Sequence, residues 1–408
     1  MIGTTVTYSL LFISLYFEIF LLVSYLERRR VSRGVSAAHA PARFPKVAII
    51  VPCFNEEKTV QSTIESLLNL TYPEDKFEVI VVDDGSRDNT LASARKFEID
   101  PRVRVFHKEN GGKHSAMNFA LAHTDAELIG CLDADSVVAP EALLRVIPVF
   151  ENTEVAAVTP GIHTKKPTNL LQHMQEVEYR LSIFNRFMLA FLGSAFITPG
   201  PFSIFRADIV RALGGWRYGH STEDMEMALR MQEAGYLIGN APLATVYTST
   251  PLRVKQLFRQ RVRWTYGFLR NAVDYRRMIG NREYGNLGLF ILPTAILSIG
   301  AGIFFFFKIA YEIGSDVGHE IHKIMLTGLL PHMSLNLFYL NTSAMWFLVW
   351  IAVALILLLI SIGSFIGTGK MRPPIGTPLF ILFYSFLVPL WLSAAVVRAV
   401  LKTGVRWR

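Results

Sequence analysis

The stretch KVAIIVPCFNEE, residues 46–57, decides the fold. It begins with a short apolar run, Lys46–Pro52, which is typical of a buried strand, and it ends in polar residues that open a helix. Two later apolar runs end in the same way. Phe77–Val82 precedes the cluster DDGSRDNT (83–90), and Ala126–Leu132 precedes Asp133-Ala134-Asp135. The sequence therefore predicts a sheet whose strands end in carboxylates.

Helix-like segments separate these strands. They are Thr59–Leu70, Asp88–Glu98 and Lys113–His123, and a further strand is predicted at Arg102–His107. Strands that alternate with helices indicate an α/β domain around a mostly parallel sheet. Ligands bind beyond the carboxyl ends of the strands in such sheets. A helix cap or a turn explains each polar cluster taken alone, but three such strand ends in one sheet favour a binding site.

The composition is that of a membrane protein. Of the 408 residues, 51% are hydrophobic and 18% are charged, and the apolar ones concentrate at the N-terminus and in the last third. Four apolar stretches are long enough to cross a hydrocarbon core about 30 Å thick. They are Val6–Leu26, Asn286–Phe307, Ala344–Ile366 and Gly376–Val397.

The basic residues predict an orientation. Those that follow the first apolar stretch, Arg28, Arg29, Arg30 and Arg33, place the N-terminus outside and the large domain in the cytoplasm, at a plasma or inner membrane. Four crossings then leave the C-terminus outside, whereas Arg398, Lys402, Arg406 and Arg408 favour the inside. Either the Pro389 segment does not fully cross, or Ile321–Leu340 enters the bilayer as well.

These patterns divide the chain into four parts. They are an N-terminal transmembrane helix (1–28), a globular domain (44–250), interfacial helices (251–285) and a C-terminal membrane region of about three helices (286–408). The third part is rich in both arginine and large apolar residues, which is typical of a membrane interface.

The net charge of +8 comes from basic residues that crowd beside apolar segments. No basic arm or zinc-finger spacing is present, so we expect no nucleic-acid partner. Cys53 and Cys131 lie in apolar runs and are predicted to be reduced core residues.

The carboxylates suit a nucleotide substrate. A nucleoside diphosphate carries negative charge that a divalent metal neutralises, and such a metal prefers oxygen ligands. One of Asp133 and Asp135 can meet ribose hydroxyls while the other meets the metal. No P-loop or Gly-x-Gly-x-x-Gly fingerprint is present. Lys113, at a predicted helix start, can meet phosphate or sugar oxygens, or it faces solvent.

A second acidic motif is Thr222-Glu223-Asp224. We predict that Thr222 caps a helix that runs to about Ala234, and acids in its first turn interact favourably with the helix dipole. That structural role is one explanation. The other is that an ionised carboxylate here accepts the proton of an acceptor hydroxyl as it attacks a sugar's anomeric carbon, which inverts the configuration.

The order VPCFNEE, DDGSRDNT, GGK, DAD, GPFSIFR, TED and QRVRW resembles the family 2 glycosyltransferases of the GT-A fold, over roughly residues 46–270. It is most similar to the membrane-bound, processive branch, which includes cellulose, hyaluronan and poly-N-acetylglucosamine synthases and the chitin-oligosaccharide synthases. The resemblance implies a GT-A catalytic domain joined to transmembrane helices.

The resemblance also implies roles for residues. Asp224 matches the general base, and Asp135 would hold Mg²⁺ or Mn²⁺. Gln260, Arg263 and Trp264 match the Q-x-x-R-W signature of processive enzymes. The nucleotide-sugar would contact Pro52, Asn55, Glu56, Asp83, Asp84, Lys113, Asp133 and Arg263. The acceptor would contact Gly200, Pro201, Glu223, Gln260 and Trp264.

We therefore expect an inverting, metal-dependent enzyme that uses a UDP-sugar, with UDP-N-acetylglucosamine as first candidate, to extend a β-linked polysaccharide. Its partners would be the donor, a growing glycan or lipid acceptor and the bilayer, and an accessory subunit stays open. One alternative is transfer of a single sugar to a lipid carrier or glycolipid. Another is a non-catalytic membrane channel or sensor with the same fold.

Overall fold

The computed structural model describes residues 2–35, 41–328 and 344–404. Helix α1 (Ile2–Val35) precedes a globular domain. The strands of this domain are β1 (Val47–Cys53), β2 (Phe77–Asp83), β3 (Val103–His107), β4 (Leu128–Cys131), β5 (Val137–Val138), β6 (Val155–Thr164), β7 (Ser203–Arg206) and β8 (Leu237–Thr248). Its helices are α2 (Val60–Leu68), α3 (Thr90–Arg95), α4 (Lys113–Leu121), α5 (Ala142–Val146), α6 (Leu170–Phe191), α7 (Ala207–Ala212) and α8 (Glu223–Glu233).

The strands form one sheet in the order β3-β2-β1-β4-β7-β6-β8-β5. Strands β1 to β4 pair in parallel, as do β6 and β8, whereas β7 runs antiparallel to both of its neighbours. The predicted α/β architecture is confirmed. The register places Cys53 opposite Asp83, and Asp83 opposite His107, so the polar clusters meet at one edge of the sheet.

Alternation along the strands fills a core on each face of the sheet. In β1, Ile49 and Val51 point to a cluster that includes residues of α2 and α5. Ala48 and Ile50 belong to the opposite cluster, with residues of α4, α7 and α8. Side chains of a strand point alternately to its two faces, so a sheet covered on both sides has continuous apolar strands. Cys53 and Cys131 are buried and free, as predicted.

Within the described residues, four helices are long and apolar enough to cross a membrane. They are Thr4–Glu27 within α1, α10 (Leu287–Thr327), α11 (Ala344–Thr368) and α12 (Thr377–Val400). Helix α9 (Val254–Asp274) and two short 3₁₀ turns lie between the sheet domain and α10. Residues 251–285, the arginine-rich third part of the sequence, thus consist mainly of helix α9.

Helix α10 is longer than predicted. It contains 41 residues and continues past Phe307 to Thr327, so Ile321 lies in its last turns. The rest of the amphipathic stretch that the sequence predicts up to Leu340 lies outside the described residues, as do Arg406 and Arg408.

Helix α11 and the start of α12 pack against helix α6 of the sheet domain. Gly363 of α11 lies against the carbonyl oxygen of Arg180, and Gly376, which precedes α12, lies against the carbonyl oxygen of His173. Phe184 of α6 is fully buried in a cluster with residues of α1 and α11. A side chain at either glycine would overlap backbone atoms, so these positions let the helices approach α6 closely.

We predict that Gly363→Ala lowers the thermal stability of the purified protein. The added methyl group would overlap the Arg180 carbonyl oxygen, and overpacking of this kind costs about 1–3 kcal/mol. Gly314→Ala is the matched control, because a Cβ at Gly314 of α10 meets no atom within 4 Å. Unfolding in detergent would measure both variants, and equal melting temperatures would contradict the close approach.

Candidate active site

The loops after β1 and β2 are tied together by hydrogen bonds. The Asn55 backbone N–H donates to Ser86 Oγ (2.9 Å), and Asn55 Oδ1 accepts from the Arg87 N–H (2.8 Å). The Glu56 N–H donates to Thr90 Oγ1 (2.7 Å). Asn55 has a φ of 56°, a left-handed conformation that asparagine tolerates better than most residues. Pro52 lies in β1 just before this connection, opposite Val82.

Asp83 ends β2 and is fully buried. Its Oδ2 atom lies 2.7 Å from Nδ1 of His107, the residue opposite it on β3. Its Oδ1 atom is buried and has no hydrogen-bond partner in the described part of the chain. A buried carboxylate oxygen without a donor is costly, so this atom suits an N–H group supplied by a ligand.

Asp84 has a different environment from Asp83. Its Oδ1 accepts from Lys108 Nζ (2.8 Å) and the Gly111 N–H (3.0 Å), and its Oδ2 accepts from the Gly112 N–H (2.8 Å). Both oxygens are therefore used inside the protein. Asp84 holds the glycine loop that leads into α4, whose first residue is Lys113.

Lys113 joins two acidic residues that are distant in sequence. Its Nζ atom lies 2.5 Å from Asp133 Oδ1 and 3.6 Å from Glu223 Oε1. Burial alone lowers the pKa of this lysine, but the neighbouring carboxylates raise the pKa well above its usual value and keep the ammonium charged. A Cβ at Gly200 would lie 2.8 Å from Asp133 Oδ2, so the glycine leaves room for this ion triad.

Asp135 is the residue that the sequence analysis predicted to hold a metal. Burial, and then Asp133 and Glu56, raise the pKa of Asp135 to about 6 against the lowering effects of Ser136 and Lys165. A buried carboxylate among other carboxylates is stabilised by a cation, so Asp135 fits a divalent metal. The described residues contain no group of three or more His, Cys, Asp or Glu side chains able to hold a metal. Other ligands would then come from the nucleotide or water.

Helix α8 presents Asp224 in its first turn. Asp224 Oδ1 accepts from the Met225 N–H (2.9 Å). Burial, and secondly Glu223, raise the pKa of Asp224 to about 6, while Lys113 and Arg263 lower it. This carboxylate is thus ionised at neutral pH and is basic enough to accept a proton.

Thr222 is the N-cap residue of α8 and Ala234 is its C-cap, as predicted, but the Thr222 side chain makes no capping hydrogen bond. Thr222 precedes α8, but its hydroxyl donates backwards to the Gly219 carbonyl oxygen (2.7 Å). His220 and Ser221 have φ values of 54° and 67°, which are unfavourable for residues other than glycine. The turn before Asp224 is therefore strained and needs support from its surroundings.

Helix α9 supplies this support. Arg263 Nη1 donates to the Ser221 carbonyl oxygen (2.8 Å), and Asn271 Nδ2 donates to Thr222 Oγ1 (3.0 Å). A Cβ at Gly267 would overlap the Thr222 side chain. Arg263 thus contacts the strained turn directly, and its charge acts on Asp224.

The two candidate acceptor residues of α9 share one neighbour. Arg261 Nη1 donates to Gln260 Oε1 (2.8 Å), and the Arg261 guanidinium lies 4.2 Å from the centroid of the Trp264 ring. Pro201 lies after Gly200, in a turn that the Phe202 N–H fixes to the Cys131 carbonyl oxygen (2.6 Å) at the end of β4.

A cleft of about 430 Å³ opens beside the strained turn, but none of the predicted site residues lines it. Its charged groups are already paired. His220 Nε2 lies 2.7 Å from Asp274, and Arg217 lies 3.8 Å from Glu226. We therefore place the active site at the strand ends and not in this cleft.

Comparison with known proteins identifies the domain. Residues 48–214 match the family model described as Glycosyl transferase family 2. The domain belongs to the family 2 glycosyltransferases. A poly-β-1,6-N-acetyl-D-glucosamine synthase of Staphylococcus epidermidis is 29% identical over 266 residues, which cover 63% of this chain and 64% of that protein. The Staphylococcus aureus synthase of the same name is 30% identical over 225 residues, 54% of each chain. The match thus spans less than two thirds of these curated relatives.

A solved structure shows the same fold. The mannosyltransferase PcManGT from Pyrobaculum calidifontis, in complex with GDP-Man and Mn²⁺, superposes with a TM-score of 0.60 at 18% sequence identity. The alignment covers 97% of this chain and 99% of that chain. The predicted GT-A-like glycosyltransferase fold with apolar helices is confirmed.

Sequence reasoning missed several residues of the glycosyltransferase site. His107 ends β3 just as Asp83 ends β2, and this position at a strand end was a usable signal. Gly267 interrupts a helical pattern, where glycine costs about 1 kcal/mol relative to alanine and calls for a packing reason. Arg261 and Asn271 had no such signal, because their partners are far away in the sequence.

We predict that Gly267→Ala lowers the turnover of the glycosyltransferase at least tenfold while nucleotide binding is kept. The added methyl group would displace Thr222 and the strained turn, and small misplacements of a catalytic group are known to cost about 10²-fold. Val273→Ala, an exposed position of the same helix, is the control. Full turnover in Gly267→Ala would contradict the role of this contact.

Proposed function

We propose that this protein is an inverting, metal-dependent glycosyltransferase that uses UDP-N-acetylglucosamine to extend a β-linked polysaccharide at the cytoplasmic face of a membrane. The ion triad of Asp133, Lys113 and Glu223 carries the proposal. It holds a strand-end carboxylate against the helix that presents Asp224, so a nucleotide-sugar bound at the strand ends would place its sugar near the candidate base.

The environment of Asp83 supports uracil as the base of the donor. His107 already occupies Oδ2, so only the unpartnered Oδ1 is left to accept from a ligand. Uracil offers a single donor, its N3–H. Guanine offers two neighbouring N–H donors on one edge and would leave one of them unpaired, which is costly in a buried site.

The relatives support the donor sugar and the polymeric product. Both are named poly-β-1,6-N-acetyl-D-glucosamine synthases. The environment of Asp135 supports a divalent metal, and the solved mannosyltransferase is a complex with Mn²⁺. When bound, the metal would stabilise negative charge on the departing diphosphate.

The side chains then have distinct roles. Asp224 accepts the proton of the acceptor hydroxyl while the hydroxyl oxygen bonds to the anomeric carbon and the bond from that carbon to the UDP oxygen breaks. One displacement of this kind inverts the configuration. Lys113 holds Asp133 and Glu223 in place. Arg263 stabilises the strained turn through its hydrogen bond to Ser221 and lowers the pKa of Asp224.

The helices support a multi-pass membrane enzyme. Four of them are long and apolar enough to cross, and the basic residues that follow the first one favour a cytoplasmic domain. Because α11 and the start of α12 contact α6 of the catalytic domain, the growing glycan would leave the site beside these helices. We extend the proposal to translocation of the product across the bilayer.

The proposal predicts UDP release by the purified protein with UDP-N-acetylglucosamine and Mg²⁺ or Mn²⁺, but not with GDP-mannose. Mass spectrometry of the product would show a polymer, and Asp135→Asn and Asp224→Asn would each lower turnover by at least 10²-fold. A single sugar on a lipid would replace the polymerase assignment with the single-transfer alternative. Absence of turnover with every donor would overturn the assignment as an enzyme and favour a channel or sensor.

The raised pKa of Asp224 predicts a pH dependence. The base must be ionised to accept a proton, so kcat should fall about tenfold for each pH unit below its pKa of about 6 and stay level above it. Arg263→Lys weakens the contact with the strained turn but keeps the charge. It should therefore lower kcat with little shift in the pH at which kcat begins to fall. A pH profile of UDP release at saturating donor measures both effects, and a level profile down to pH 5 would exclude Asp224 as the base.

A further inference from the structure

Arg261 occupies the second position of the QRVRW segment and is buried. It contacts both candidate acceptor residues of α9, through a hydrogen bond to Gln260 Oε1 (2.8 Å) and through the stack on the Trp264 ring (4.2 Å). Gln260 and Trp264 are four residues apart and therefore lie on the same face of α9, where the Arg261 side chain contacts both. The planar guanidinium between them fixes both.

Arg261 is itself held from outside its helix. Its Nη2 donates to Glu178 Oε2 of α6 (2.6 Å), and the same oxygen accepts from the hydroxyl of Tyr384 (2.5 Å). Tyr384 is buried and closes the π-helical turn Phe380–Tyr384 in α12. Such turns add one residue to a helix and occur often at functional positions. Here the turn points a phenol of an apolar helix at a carboxylate of the catalytic domain.

We propose that Arg261 is a positioning residue for the acceptor, and that Glu178 and Tyr384 anchor it to α12, so the glycan-binding groups Gln260 and Trp264 are held in register with the membrane helix. This inference rests on the proposed function and adds an anchor for processive synthesis. A glycan that stays bound between transfers needs a fixed aromatic face and a fixed hydrogen-bonding group beside the path into the membrane.

The chemistry explains why arginine stands here. A guanidinium can stack on an indole and at the same time donate in its plane to a carboxylate and an amide oxygen. A lysine would keep the charge but could not make these contacts together. Glu178 shares one oxygen between two donors, so loss of the Tyr384 hydroxyl loosens the carboxylate that orients Arg261 without removing a charge.

The test measures glycan binding apart from turnover. Calorimetry of the full-length protein with UDP and N-acetylglucosamine oligosaccharides gives the Kd for the acceptor, and a separate titration gives the Kd for UDP. We expect Arg261→Lys to weaken oligosaccharide binding about tenfold and Tyr384→Phe about threefold, with UDP binding unchanged. During synthesis both variants should give shorter products and a raised KM for the oligosaccharide acceptor, with the KM for the donor unchanged.

Tyr72→Phe is the matched control. The Tyr72 hydroxyl is also buried and donates to the Pro45 carbonyl oxygen (2.7 Å), in the core cluster with residues of α2 and α5. It should match Tyr384→Phe in its loss of thermal stability but leave oligosaccharide binding and product length unchanged. A double variant of Arg261→Lys and Tyr384→Phe should bind no more weakly than Arg261→Lys alone, because both act through one network.

The outcomes separate the two proposals. If Arg261→Lys and Tyr384→Phe lower only the thermal stability, and their oligosaccharide Kd and product length equal those of Tyr72→Phe, the proposed anchor is overturned. If the wild-type protein shows no turnover while Arg261→Lys still weakens oligosaccharide binding, the proposed function fails and the positioning role of Arg261 stands.

Discussion

The ammonium group of Lys113 connects the two halves of the candidate active site. One half consists of strand-end carboxylates, and the other consists of the strained turn and helix α8. Asp133 and Glu223 would repel each other across this gap, and the buried Glu223 would be costly without a cation. With the charged lysine between them, both are compensated at 2.5 and 3.6 Å. The position of Asp224 relative to the strand ends therefore depends on this one cation.

Helix α9 is the second element on which the site depends, and its arginines act in opposite directions. Arg263 reaches inward to the Ser221 carbonyl oxygen and stabilises a turn that is otherwise unfavourable. Arg261 reaches outward to Glu178 and, through it, to Tyr384 of α12. The QRVRW segment thus has a structural role besides any contact with substrate. It links the strained turn before Asp224 to the apolar helix α12 through Arg263 and Arg261, which are two residues apart.

The fold and the carboxylates of the site could be predicted because their signals are local. An apolar run followed by a polar cluster marks a strand end within about ten residues, and this placed Asp83, Asp133 and Asp135 correctly at one edge of the sheet. The partners of these residues could not be predicted, because they depend on strand register. His107 meets Asp83 only because β3 pairs with β2 in a particular alignment. Asp84 resembles Asp83 in sequence, yet backbone N–H groups of the glycine loop use both of its oxygens. Thr222 is at the N-cap as predicted, but the partners of its hydroxyl could not be predicted for a similar reason, since they are the Gly219 carbonyl oxygen and Asn271 of α9.

The attachment of the long apolar helices to α6 limits how the proposed synthase would move a product. Gly363 and Gly376 bring α11 and the start of α12 into direct contact with the backbone of α6, and the Glu178 network fixes α12 to both α6 and α9. Rocking of the catalytic domain against these helices would break buried charged contacts and separate close-packed backbones, which costs several kcal/mol. A glycan moves past a fixed wall at a lower cost, because its hydroxyls can exchange one set of hydrogen bonds for an equivalent set as each sugar advances. For the proposed synthase, the packing therefore favours a rigid path along which the product would slide.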